Sequence, residues 1–219
     1  MEDRGRFLLS LVFISLGLSH SPQDIARNIE KRLSSLVSLQ ADFEQVYYPV
    51  SLSTPLREKG RLYFRKPDLM RWEYREPEQY VYLYKEGLLL HYAPEDNQLF
   101  RHALTPEEKS SQLFTILLGR ARLEDGYLVE RAEFPSGKTS LLQVKLTPKE
   151  EGEYAYILLG AEEKTWLISQ LVLFDPAGNK QEFHFSQVKP NPRLTEKIFE
   201  LEVPPDCEII DDLPPQKKN

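Results

Sequence analysis

The chain has 219 residues, of which 41% are apolar and 28% charged, and its formal net charge is −6. This length fits one domain of ordinary size, or at most two small ones. An acidic chain without a long basic run is a poor partner for nucleic acid, because duplex binding depends on many contacts between phosphate and Lys or Arg. The single cysteine, Cys207, can form neither an internal disulfide nor a thiolate metal site by itself. These features exclude a nucleic-acid binder and a disulfide scaffold.

The N-terminus has the pattern of an export signal. Residues 7–18 form an apolar run, FLLSLVFISLGL, that follows two arginines. The run is shorter than the roughly 20 residues needed to span a bilayer, and it is typical of a secretory signal peptide. A buried N-terminal helix is the alternative, but this run is apolar all round while the next helix is amphipathic. We therefore predict a signal peptide at residues 1–19, cleaved within a few residues of Ser19, and a single domain at residues 20–219.

The mature chain begins with a helix and continues as strands. Ser21 and Pro22 can cap and open a helix whose apolar residues recur every three to four positions. From Gln40 the apolar period changes to two, and prolines then separate ten further runs, at 57–65, 69–75, 80–85, 88–93, 99–104, 127–134, 141–147, 154–159, 166–174 and 181–188. The short connections leave no room for crossover helices, so neighbouring strands should be antiparallel. We predict a mainly β fold with helices, in which one large antiparallel meander is strongly curved.

One segment interrupts the strands. Thr105 to Glu108 form a capping box with proline at the first helical position, which predicts a short helix over residues 106–118. Its apolar side chains include Leu113, Phe114 and Leu117. Because the helix lies in the middle of the meander, it can only cover an end or mouth of the sheet, where it would form a lid.

Catalytic and metal-binding patterns are missing from the sequence. It contains no G-x-S-x-G, H-E-x-x-H, paired C-x-x-C or glycine-rich phosphate loop. His91 and His102 flank one predicted hairpin, but two ligands without an obvious third make a poor metal site. We expect neither an enzyme nor a cofactor, and we interpret the histidines as surface or hydrogen-bonded groups.

Bulky side chains share one face of several predicted strands. They are Leu62, Phe64, Met70, Trp72, Tyr74, Phe183 and Phe185. In the same way, Trp166, Ile168, Val172 and Phe174 should share a face. An ordinary core beneath a helix would explain this pattern equally well. However, a curved sheet of about ten strands encloses more space than two helices obviously fill. We therefore predict a ligand cavity lined by Leu62, Phe64, Met70, Trp72, Tyr74, Phe183 and Phe185.

Several motifs resemble the LolA family of periplasmic carriers of outer-membrane lipoproteins. They are LYFRKPDLMRWEY at 62–74, Glu76-Pro77, DPAGN at 175–179, Phe183-x-Phe185, Asn191-x-x-Leu194 and FELEVPP at 199–205. The resemblance implies an incomplete antiparallel β-barrel of about eleven strands with a helical lid. It also implies a ligand, the acyl chains of lipoproteins. An inner-membrane ABC-type complex would release these lipoproteins to the carrier, and an outer-membrane acceptor lipoprotein would receive them. We expect the protein to act as a monomer.

The family typically has arginine directly before the proline of the RP-x-x-[FM]-x-W segment, where it pairs with lid carbonyls. Here that position is Lys66, with Arg65 one residue earlier. Alternation places Lys66 at the rim of the apolar face and turns Arg65 outward. Lysine can donate to carbonyls but cannot reproduce a planar guanidinium, so we expect Lys66 to be a weaker latch.

Two functions remain from this reasoning. The first is a carrier whose lid residues cover the cavity, for which Leu117→Glu should abolish acyl binding while the protein still folds. The second is a periplasmic sensor or regulator that uses the same barrel to detect lipid or lipoprotein. Relatives with a sensor role usually carry an additional C-terminal domain, which we do not expect here, and this favours the carrier.

Overall fold

One twelve-stranded sheet, wrapped around helical segments, organises the computed structural model, which describes residues 20–105, 108, 112–132 and 140–213. The predicted signal peptide at 1–19 lies outside the described residues, as do residues 106, 107 and 109–111 of the predicted lid helix. Within the described ranges, no helix is both long and apolar enough to cross a membrane.

The elements follow the predicted order. The helices are α1 (Pro22–Ser35), α2 (Gln112–Leu117) and α3 (Leu123–Gly126), with a 3-10 turn at Glu196–Phe199. The strands are β1 (Ser38–Tyr48), β2 (Leu56–Arg65), β3 (Leu69–Glu76), β4 (Tyr80–Lys85), β5 (Leu88–Ala93), β6 (Gln98–Ala103), β7 (Tyr127–Arg131), β8 (Leu141–Pro148), β9 (Tyr156–Glu162), β10 (Ile168–Phe174), β11 (Lys180–Pro190) and β12 (Glu208–Asp212). The eleven strands expected from the sequence correspond to β1–β11, with ends shifted by a few residues.

The amphipathic first helix is confirmed. Ser21 Oγ accepts a hydrogen bond from the Asp24 amide at 3.1 Å, and Pro22 occupies the first turn, where its missing N–H costs nothing. The buried face of α1 comprises Ile25, Ala26, Ile29 and Leu33. This face packs against the concave side of the sheet, so α1 fills part of the barrel.

The sheet is open, as expected for an incomplete barrel. Its strand order is β12-β6-β5-β4-β3-β2-β1-β11-β10-β9-β8-β7, and the strands from β1 to β11 pair only antiparallel. The edge strand β12 was not predicted, and it pairs parallel with β6. It follows a long connection over the outer face, so the expectation of exclusively antiparallel neighbours is wrong at this edge. All five residues of β12 are exposed, and no buried face imposed an apolar period on them.

Arg65 holds the segment before β12 against the outer face. Its Nη1 donates to the Leu194 carbonyl at 3.1 Å, its Nη2 pairs with Glu196, and its guanidinium lies 5.4 Å from the centre of the Phe199 ring. Phe199 is fully buried against Val81 and neighbouring outer residues. The prediction that Arg65 points away from the cavity is therefore confirmed.

One prediction about shared faces is wrong. The register between β9 and β10 shifts between Ile168 and Gln170. Ile168 therefore packs in the inner core, whereas Val172 and Phe174 belong to a separate cluster with Leu158 on the outer side. A bulge adds a residue to one strand and so reverses the side that later residues face, which strict alternation cannot anticipate.

Candidate functional site

The inner face of the sheet carries a connected aromatic cluster. The Phe43 ring lies 5.0 Å from the rings of Trp72 and Tyr74 and 6.3 Å from that of Phe183, in edge-to-face geometry. Trp72 Nε1 donates to the Met70 sulfur at 3.1 Å. These side chains come together because β11, β1, β2 and β3 are adjacent and each contributes every second residue to one face.

Two apolar cavities adjoin this cluster. The larger, of about 200 Å³, is lined by Met70, Trp72, Tyr74, Tyr82, Tyr84, Leu89, Leu113, Phe114, Gln181 and Phe183. The smaller, of about 30 Å³, is lined by Leu33, Leu39, Ala41, Leu62, Phe64, Leu117, Leu167, Ile168, Phe185 and Val188. The structure thus divides the predicted wall and lid residues between two compartments.

Sequence reasoning missed part of the larger wall. Tyr82, Tyr84 and Leu89 come from β4 and β5, and they face inward because Tyr82 pairs with Trp72 and Tyr84 with both Met70 and Leu89. The alternation of tyrosine with valine and leucine in YVYLY was the available signal. It was ambiguous because the outer face of β4 is also apolar, where it lies beneath the Phe199 segment.

The cavities are small for an acyl ligand. A volume of about 200 Å³ falls below the roughly 300–1,000 Å³ of typical ligand sites. Phe114 closes one side of the larger cavity, with its ring 5.4 Å from that of Tyr84. A long chain can therefore be accommodated only if α2 or the side chains beneath it move.

The predicted capping box is present at the base of the lid. The Thr105 amide donates to the Glu108 carboxylate at 2.7 Å, and the Glu108 amide donates to Thr105 Oγ1 at 3.2 Å. At the other end, Gly119 has φ +65°, and a Cβ there would lie 2.4 Å from the Leu33 carbonyl carbon. The end of α2 thus lies directly on the backbone of α1, and only glycine permits this approach.

Lys66 contacts α1 rather than α2. Its Nζ donates to the Leu33 and Ser34 carbonyls at 3.0 and 2.8 Å, where the helix ends. A cation at the C-terminus of a helix satisfies free carbonyls and complements the helix dipole. Burial and the nearby Arg120 guanidinium lower the pKa of Lys66. Arg120, which follows α2, donates to the Pro67 carbonyl at 2.7 Å, so α1 and α2 are both tied to the β2–β3 turn.

Replacing Lys66 with alanine should speed the exchange of a fluorescent acyl probe severalfold, because the end of α1 beneath α2 loses two charge-assisted hydrogen bonds. Stopped-flow displacement measures this rate. Lys59→Ala is the matched control, since Lys59 lies on β2, which leads into Lys66, but forms an exposed ion pair with Glu76. An exchange rate unchanged by Lys66→Ala would assign the latch to another group.

The two histidines of the predicted hairpin are not neighbouring ligands. His91 pairs with Phe100 across the strands and stacks on Tyr82 with ring centres 4.4 Å apart, and burial lowers its pKa. His102 lies between Glu108 Oε1 at 2.9 Å and Asp212 Oδ2 at 2.7 Å, and these carboxylates raise its pKa. Within the described ranges, no group of three or more potential ligands could hold a metal ion. His102 instead joins β6 to the start of the lid and to β12.

The fold and the cavities define a class of protein, in which one open sheet, antiparallel except at its β12 edge, curves around helices and an apolar interior. The family model described as outer membrane lipoprotein carrier protein LolA matches residues 34–202, and the chain belongs to this family.

Two relatives bear the same description, and a solved structure shares the fold. The chain is 25% identical over 209 residues to the outer-membrane lipoprotein carrier protein of Methylococcus capsulatus, covering 94% of this chain and 98% of the relative. Identity to the protein of the same name from Nitrosomonas europaea is 23% over 207 residues, with the same coverage. An uncharacterized conserved protein from Thermus thermophilus superposes with a TM-score of 0.54 at 17% identity, over 86% of this chain and 98% of that chain. That superposition supports the fold alone.

Proposed function

We propose that this protein is a periplasmic carrier that binds the acyl chains of lipoproteins released from the inner membrane and delivers them to the outer membrane. The observation that carries the proposal is the larger cavity, whose walls are apolar and aromatic and which α2 covers. The carrier name shared by its relatives supports the same role. Carriers of this family are not enzymes, and we assign no catalytic residue.

The wall suits a flexible hydrocarbon ligand. Each CH₂ buried from water contributes about 0.8 kcal/mol, so one long chain resists crossing water by on the order of 10 kcal/mol. Met70 and the aromatic rings around it can adapt to such a chain without a fixed shape. In our proposal the ligand takes the place of Leu113 and Phe114 in the cavity, and these residues return when it leaves.

The partners follow from this role. We propose that an ABC-type complex of the inner membrane supplies the lipoprotein and that an acceptor lipoprotein of the outer membrane receives it. Because the return of the lid residues offsets part of the cost of emptying the cavity, release needs no nucleotide at the outer membrane. An acceptor with a more accessible apolar site would suffice to draw the chain out.

Two measurements test the proposal. Mass spectrometry of the protein purified from the periplasm of cells that produce it should detect bound acylated peptides or proteins. The loaded protein should then give up this ligand to membranes that contain the acceptor. A protein that carries no acyl species would contradict the proposal, whereas one that binds acyl chains and never transfers them would favour the sensor.

A further inference from the structure

A carboxylate faces the inner side of the sheet beside the larger cavity. Glu58 on β2 pairs in register with Gln45 on β1, whose side chain is almost fully buried. The Glu58 carboxylate accepts hydrogen bonds from Gln45 Nε2 at 3.2 Å and from the Tyr80 hydroxyl. None of the ion pairs between described residues includes Glu58. The group is therefore a negative charge held by neutral donors only.

This carboxylate is connected to the cavity wall. Gln45 Oε1 accepts a hydrogen bond from the Tyr74 hydroxyl at 2.5 Å, and Tyr74 lines the larger cavity. Tyr80 stacks on Tyr74 with ring centres 4.3 Å apart. Burial, and in each case the charge of Glu58, raise the pKa of Tyr74, Tyr80 and Tyr82. The negative charge thus acts at the edge of the apolar space.

The nearest cations in the sequence do not neutralise this charge. Arg57 and Lys59 flank Glu58 on β2, and alternation turns both toward the outer side. Arg57 pairs with Glu44 at 3.1 Å, and Lys59 pairs with Glu76 at 3.3 Å. Neither cation therefore pairs with the Glu58 carboxylate, which Gln45 and Tyr74 connect to this edge of the cavity.

We propose that this edge binds the polar head of the acylated ligand and favours heads that are cationic and donate N–H bonds, such as a primary ammonium, over anionic heads. The proposal rests on the carrier function, because it requires the alkyl chain to occupy the larger cavity. An ammonium can share the Glu58 carboxylate with Tyr80 and Gln45, and a hydrogen bond between charged groups is stronger than a neutral one. A carboxylate or phosphate head would instead meet a like charge without a compensating cation.

The effect of the head group can be measured with three ligands that share a twelve-carbon chain, namely dodecylammonium, dodecanol and dodecanoate. Each displaces an uncharged fluorescent probe at pH 7.5, below its micelle concentration. Dodecylammonium should bind on the order of tenfold more tightly than dodecanoate, with dodecanol between them. In Glu58→Gln this preference should fall to about twofold or less, since the variant keeps the shape and one of the two acceptor oxygens but not the charge.

Glu44→Gln is the matched control, because it removes the same charge from the outer side of the neighbouring strand. It should leave the preference unchanged. Equal binding of the three ligands to the wild type, or a preference that survives in Glu58→Gln, would overturn the proposal while leaving the carrier function intact. Failure of all three to bind would contradict the carrier function itself. If Glu58→Gln does not fold, the salt dependence of the wild-type protein provides the test. A preference for dodecylammonium that arises from this charge must weaken as the salt concentration is raised.

Discussion

Replacing Phe114 with glutamate should weaken the binding of a fluorescent acyl probe by tenfold or more while the protein remains folded. Phe114 is only partly buried, and it lines the larger cavity beside Tyr84. Burial of a large apolar side chain contributes about 1.5–3 kcal/mol, and an unpaired carboxylate against the hydrocarbon costs more. Titration with the probe measures the binding, and circular dichroism with thermal unfolding checks the fold.

The control for this change lies on the same helix. Thr115→Glu introduces the same charge at the next residue, which does not line the larger cavity but faces a wide groove that holds charged residues of both signs, and it should leave probe binding within about twofold. Probe binding that is equal in the two variants would contradict the role of Phe114 as a lid residue.

The structure makes Leu117→Glu, the substitution suggested by the sequence, a poor test of the lid. Leu117 is 6% exposed and lies among Leu33, Leu62 and Phe64 around the smaller cavity. A glutamate there would be buried without a partner, so we expect Leu117→Glu to destabilise the protein by several kcal/mol. Loss of binding in that variant would report unfolding rather than the lid.

Replacing Gly60 with alanine should lower the free energy of unfolding by about 3 kcal/mol, at the upper end of the range for overpacked cores. A Cβ at Gly60 would lie 2.1 Å from the Glu73 carbonyl oxygen and 2.7 Å from the tip of the Phe43 ring. Neither can move freely, because the carbonyl belongs to β3 and the ring lies against Trp72 and Tyr74. Gly60 therefore allows the Phe43 ring to pack directly against the backbone of β2.

Urea unfolding followed by tryptophan fluorescence measures this effect. Gly126→Ala is the matched control, because a Cβ at that position meets nothing within 4 Å, and it should change stability by less than about 0.5 kcal/mol. Equal stability of the two variants would show that the inner cluster tolerates the displacement of Phe43, contrary to our account of it.

The inner wall could be predicted from the sequence because alternation is a local property. In β3, Met70, Trp72 and Tyr74 follow one another at a spacing of two, and backbone geometry alone places them on one side. The same reasoning assigned Phe183 and Phe185 correctly in β11, where the pairing with β1 confirms the shared face. It was wrong in β10, where a bulge that no local signal announces separates Ile168 from Val172.

Other features depend on residues far apart in the chain. Lys66 was expected to hold the lid, yet its carbonyl partners are at the end of α1, since the end of α1 and the β2–β3 turn meet only in the folded chain. β12 was not predicted, because among the described residues it pairs only with β6, which lies more than a hundred residues earlier in the chain. Sequence alone also could not single out Glu58, which looks like any other charge on a strand until Gln45 and Tyr80 are placed around it.

The sequence by itself determined the class of fold and most of the apolar wall. It also predicts the export signal. These features depend on composition, on the spacing of apolar residues and on the motifs that resemble the family, all of which are local properties of the sequence. Only the tertiary structure decided how the wall is divided into two cavities, which helix end Lys66 holds, and where a negative charge meets the apolar interior. Such features arise from distances between strands and helices that the period of the side chains does not encode.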